Sequence, residues 1–143
     1  MNEEVNDDIM DNEERAAWLE IGGYVAAADG LSDQERDELA NSAAGPGFDR
    51  ALCVEAIQKG GSSSSLPSAA LERVSKSDIF VRVQLLLEIF GAAASDGLSA
   101  PELKRLNEAT EAILGSSKQD AFMRLCEVES EAAQLRHTLV FGE

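Results

Sequence analysis

Basic residues, histidine, cysteine and aromatic rings are all scarce in this chain. It carries 12 Lys and Arg against 27 Asp and Glu, a formal charge of −15. A field of that sign repels a phosphate backbone, which excludes general nucleic-acid binding. The two cysteines, Cys53 and Cys126, stand apart among apolar neighbours, with no Cys-x-x-Cys or Cys/His spacing around them. They read as small buried hydrophobes of a protein in a reducing compartment. No Gly-x-Ser-x-Gly elbow is present, so nucleophilic catalysis has no visible constellation. Lys59-Gly60-Gly61-Ser62 has the letters of a P-loop in the wrong order, and no strand precedes it. No apolar run approaches the ~20 residues that span a bilayer, and the first residues lack a cationic segment followed by an apolar one. A cytoplasmic protein without a transmembrane segment is the expectation.

What remains is enough to fold. A chain of 143 residues with 44% apolar content matches one domain with a core, which excludes disorder throughout. Seven acids precede the first base, Arg15, and the rest of the chain carries 20 acids and 12 bases, a net of −8. Residues 1–11 are therefore expected to be an acidic disordered tail, and residues 12–143 a helical domain.

Apolar positions recur at helical spacing and never alternate as in a strand, so the fold class is all-α. Asp11 and Glu14 suggest a capping box ahead of a helix from about residue 12 to Asp29, with Ala17, Trp18, Ile21, Tyr24, Val25 and Ala28 on its apolar face. A second helix starts at Ser32 and stops at Gly45-Pro46-Gly47. A third carries Phe48, Leu52, Cys53, Ala56 and Ile57 and ends at Gly60-Gly61, where a flexible Gly-Ser loop follows to Ser65. Pro67 opens a short fourth helix. Between Ile79 and Ala94 only three positions are polar, which reads as a central helix buried on all sides. Ser99 and Glu102 cap a sixth helix ending at Gly115, and a seventh runs from about Lys118 to Leu139. The expected architecture is a compact bundle of about seven helices with short loops.

The specific signal is a repeat. Ala26-Ala27-Ala28-Asp29-Gly30-Leu31-Ser32-Asp33-Gln34-Glu35, followed by Leu39, matches Ala93-Ala94-Ser95-Asp96-Gly97-Leu98-Ser99-Ala100-Pro101-Glu102, followed by Leu106. Such a match implies two helix-turn-helix halves related by a pseudo-two-fold axis. Much of it is helix punctuation: the glycines take φ > 0 and Ser-x-x-Glu is a capping box. The aspartates fit that account less well, because a carboxylate at a helix C-terminus faces the negative end of the dipole. A bound cation would offset the cost. Brought together, Asp29, Glu35, Asp96 and Glu102 form an all-oxygen set suited to Ca²⁺ or Mg²⁺. The loop is not an EF-hand, since Leu31, Gln34 and Ala40 fall where ligands or glycine are required. Both readings, capping alone and cation binding, stay open on the sequence.

The paired motifs AAADGLSDQERDEL (26–39) and AASDGLSAPELKRL (93–106) resemble those of the TerB-like domain family. That family includes bacterial tellurite-resistance proteins and the N-terminal region of DjlA-type membrane-anchored J-domain co-chaperones. The resemblance spans about residues 12–139, with its specific part confined to the two turns. It implies an internally pseudo-symmetric helical bundle that acts without catalysis, as a metal-binding adaptor in stress-response or chaperone-linked assemblies with protein partners, some at the periphery of the inner membrane. The family's acidic positions fall on Asp29, Glu35, Asp96 and Glu102. The Gly-Ser loop and the acidic tail depart from the family pattern.

Other residues read as structural. His137, the lone histidine, reads as a solvated helix-end residue, and Trp18 and Tyr24 as core. The run Asp33 to Glu38 reads as a solvated face or the rim of a surface that recruits a basic partner. A metal-dependent hydrolase would need His or Lys beside its ions, and neither repeated turn contains one.

Overall fold

The computed structural model describes residues 12–42, 49–94 and 97–142. Among these residues every regular element is helical: α1 Asn12–Ala26, α2 Asp33–Ser42, α3 Arg50–Gly61, α4 Ser68–Val74, α5 Ile79–Ala93, α6 Ala100–Leu114 and α7 Ser116–Phe141. A 3₁₀ turn, Ala27–Asp29, extends the end of α1. The all-α bundle expected from periodicity is what forms. The tail at 1–11, with its capping residue Asp11, the Gly45-Pro46-Gly47 stop and Phe48 lie outside the described residues. No helix among the described residues is long and apolar enough to cross a membrane.

The central helix is α1, not α5. Helix α1 packs on α2, α3, α4, α5 and α6, and Trp18, Ile21, Tyr24 and Val25 are all buried along it. Helix α5 buries only Leu86, Ile89, Ala92 and Ala93. Its other apolar residues are half-exposed, and Phe80 is 83% exposed. An apolar composition alone cannot identify the innermost helix; the ability to be approached closely decides it.

Glycine supplies that ability. A Cβ on Gly23 would lie 2.1 Å from the carbonyl oxygen of Ile57, and one on Gly60 would lie 1.8 Å from that of Glu20. The backbones of α1 and α3 therefore touch where they cross, and only glycine fits at either position. Helix α3 ends at Gly61, where the Gly60-Gly61 pair was expected to end it, and these C-terminal glycines are also a packing surface.

Helix α7 is buried only in its first half. Only Phe122 and Cys126 are buried along its 26 residues, while Leu135, Leu139, Val140 and Phe141 are exposed. Its C-terminal half stands clear of the bundle. The rest of the core follows the pattern, with both cysteines buried and burial pushing the Cys126 thiol up to about 12.

The glycine crossing has a direct test. Gly60→Ala should lower the unfolding free energy by about 2 kcal/mol or more, because a methyl forced against backbone cannot be relieved by a rotamer change. Gly91→Ala, on α5 with nothing within 4 Å of the added carbon, should instead raise stability by roughly 0.5–1 kcal/mol through helix propensity. Urea denaturation of the two variants checks both signs.

Candidate functional site

The two repeated turns have the same local construction. Gly30 and Gly97 adopt φ of 104° and 100°, and their N–H groups donate to the carbonyls of Ala27 and Ala94, each at 3.1 Å. The chain then extends through Leu31 or Leu98 to a serine that starts the next helix. In the first turn, Glu35 N–H donates to Ser32 Oγ at 3.0 Å and Ser32 N–H donates to Glu35 Oε1 at 3.1 Å. In the second, Glu102 N–H donates to Ser99 Oγ at 3.2 Å and Ser99 N–H donates to Glu102 Oε1 at 2.9 Å. Both are complete capping boxes, each satisfying two N–H groups that a helix start leaves orphaned.

What sets them apart from surface caps is their position. Helix α1 packs on α6 and α2 packs on α5, which turns the two boxes toward each other. Glu35 is 3% exposed and Glu102 1%. One oxygen of each glutamate is used by its own box. The other oxygen of Glu102, Oε2, is buried without a hydrogen-bond donor, and the carboxyl of Glu35 is its neighbour. Two ionised carboxylates can only accept, so the contact is stable only with a proton or a cation between them. Burial pushes the Glu102 carboxyl up to about 7. The Ser99 N–H works against that shift, and the nearby carboxyls of Glu35 and Asp29 add to it.

Of the four acidic residues read from the repeat, the fold therefore joins Glu35 and Glu102. Asp29 ends the 3₁₀ turn at the exposed edge of the junction, close enough for its charge to act on Glu102. Asp96 lies outside the described residues. Among the described residues no group of three or more His, Cys, Asp or Glu converges as a metal site does. The Asp33–Glu38 run is solvated except at Glu35 and in part Arg36, where the helix turns inward.

A second polar cluster lies near the junction. Tyr24, buried as expected, donates from its hydroxyl to Glu108 Oε1 at 2.7 Å. Arg105 stacks 4.4 Å above the Tyr24 ring and donates from Nη1 to the Tyr24 carbonyl oxygen at 2.7 Å. Burial raises the Tyr24 hydroxyl above its ordinary value, with the Glu108 carboxylate adding to it. These groups edge a cavity of about 490 Å³ that Lys104 and Pro101 also line. Sequence reasoning missed this cluster, although one signal was available. Lys104-Arg105 occupies, in the second repeat, the place that Asp37-Glu38 holds in the first. His137 is exposed, as expected, and its ring lies 4.7 Å from that of Phe141.

No family model, curated protein or solved structure matches this chain.

The carboxyl pair makes stability depend on pH with a definite sign. In the fold Glu102 keeps its proton to about 7, against an ordinary value of 4.5. Between these values the native state binds more protons than the unfolded chain, so stability is greatest below 4.5 and falls as pH rises through 7. Glu88, also raised by burial, adds to the same slope. The melting temperature should therefore be higher at about pH 5 than at about pH 8. Glu102→Gln keeps the capping geometry and should flatten the decline, raising the melting temperature on the alkaline side. Thermal unfolding by circular dichroism across that range checks both statements.

Proposed function

We propose that this chain is a non-enzymatic, acidic helical module of the TerB-like kind. Its two turns together take up a divalent cation, Ca²⁺ or Mg²⁺, and it serves as an adaptor in a stress-response or chaperone-linked assembly. The observation that carries the cation reading is Glu102 Oε2, buried without a donor against a second buried carboxyl. An orphaned acceptor facing another acceptor is a place for positive charge.

Glu35 and Glu102 would each offer the oxygen that its capping box engages least. Asp29, and Asp96 through the second copy of the motif, would complete a hard-oxygen set together with water and backbone carbonyls. The pseudo-two-fold relation of the halves belongs to the same proposal, supported by the matched geometry of the two turns and the reciprocal packing of α1 on α6 and α2 on α5.

The adaptor reading rests on what the second turn touches. Leu98, within that turn, lines an apolar groove of about 680 Å³ with Phe90, Leu103, Met123 and Cys126. A change of charge state at Glu102 reaches that groove through four residues of backbone. A cytoplasmic module with protein partners, some of them at the inner membrane, is consistent with this surface.

One alternative has a specific observation in its favour. Both capping boxes are fully formed, so a single shared proton would satisfy the pair and leave a metal-free protein–protein interaction domain.

Calorimetric titration with Ca²⁺ and Mg²⁺ separates the two. Cation and proton compete for the same oxygens, so binding should be detectable at about pH 8 and weaken at least about tenfold by pH 6. Glu102→Gln should abolish it, and Asp29→Asn should weaken it severalfold. Neither heat nor a thermal shift at millimolar ion and alkaline pH would leave the metal-free domain.

A further inference from the structure

The exposed half of α7 carries apolar residues in an ordered arrangement. Leu125, Val128, Ala132, Leu135 and Leu139 are spaced three and four apart in alternation, which is the a/d pattern of a coiled coil. At 100° per residue these positions form one stripe, centred about 120° around the helix from the Phe122 and Cys126 face that packs into the bundle, with Leu125 still beside Ile79 and Val83 and Val128, Leu135 and Leu139 turned to solvent. Val128 is 42% exposed, Leu135 63% and Leu139 84%. At Val128, Leu135 and Leu139 the bundle leaves this stripe open.

The flanking residues indicate what does. With Leu125 as an a position, the g positions are Arg124 and Glu131 and the e positions are Glu129 and Arg136. In a parallel pair of helices each g residue meets the e residue five places further along its partner. Arg124 then meets Glu129 of a second chain, and Glu131 meets Arg136. Both contacts join opposite charges, and symmetry doubles each of them. In antiparallel registers that pair the exposed apolar residues, Glu131 instead meets a second Glu131 or Thr138. The present contact of Arg124, a 3.1 Å pair with Glu127 in which both side chains are at least 70% exposed, is of the weak surface kind and does not compete strongly.

We propose that this face of α7 is covered by α7 of a second copy of the same chain, in a parallel two-helix coiled coil. The protein is thereby a reversible homodimer. Cys126 is the last residue of α7 buried in the bundle, so the exposed positions beyond it are within reach of a second helix. The seam is short, about two heptads beyond the bundle, and Ala132 occupies an a position. Association is therefore concentration-dependent rather than obligate. A dimer would present two apolar grooves and two acidic junctions on one particle, which raises the avidity for a repeated partner.

Sedimentation equilibrium of the full chain should give a mass that rises with concentration from 15.3 kDa towards twice that value. Leu135→Glu, on a fully solvated part of the helix, should hold the protein monomeric with an unchanged circular-dichroism spectrum. Arg136→Glu sets Glu131 against a second acid and should weaken association at least about tenfold. Adding Glu131→Arg to it should restore association in the parallel pairing alone. A monomeric mass at all concentrations up to about millimolar would overturn the proposal. So would failure of the charge swap to rescue, or retention of the wild-type monomer by phospholipid vesicles, which would assign the stripe to a lipid surface.

Discussion

Helices α1 and α3 meet backbone to backbone, and the arrangement of the remaining helices follows from that contact. With no side chain at Gly23 or Gly60, the two axes approach closely enough for a carbonyl to occupy the space a Cβ would need. A helix that can be approached so closely can take neighbours on every side, and α1 has five. Its C-terminus is thereby fixed deep in the bundle, beside the start of α6. The first repeated turn grows directly out of that end, so the position of Glu35 relative to Glu102 is set by the glycine crossing as much as by the turn itself. Leu39, whose side chain would press on any carbon added at Gly22, ties α2 to the same helix.

Much of this was legible in the chain. The seven helices, the positive-φ glycines at 30, 97 and 115 and the Ser99 box follow from local rules that act over three or four residues. Such rules do not depend on tertiary context. The rank of the helices does depend on it. The apolar run of α5 suggested a centre, but a helix of large side chains keeps its neighbours at a distance, whereas the Gly22-Gly23 and Gly60-Gly61 pairs permit contact. The Gly60-Gly61 pair was read as a helix end alone, because its second use is defined only by what lies across the interface. The Tyr24–Arg105–Glu108 cluster is similar: residues 81 and 84 positions apart carry no mutual signal in one sequence. The partial legibility of the acidic set has the same origin. The repeat marked four candidates, and among the described residues helix packing brings Glu35 and Glu102 together.

Capping explains why residues 35 and 102 accept from and donate to the turns, yet it does not explain why both are acids. Glutamine completes a capping box as well as glutamate does, and a facing pair of glutamines could hydrogen-bond with no like-charge penalty and no orphaned oxygen. Burying two carboxyls face to face instead makes the junction less stable above neutrality than it needs to be. A fold tolerates such a cost at positions where charge is used. The dipole argument points the same way for Asp29, which also adds negative potential at the negative end of a helix. Each acid is individually replaceable by a neutral residue that would serve the architecture better. Their common property is that each places negative charge where burial or a helix end disfavours it.

The junction directly adjoins the apolar groove. Glu102 is the third residue of α6, and Leu98, one residue before its cap, is a wall of the groove that α7 closes. Two ionised carboxylates in contact repel, whereas one shared proton turns the contact into a hydrogen bond. Leu103, the residue after Glu102, and Asn107 line the same groove as Met123 and Cys126 of α7. The buried carboxyl pair and the apolar groove thus share the first turns of α6.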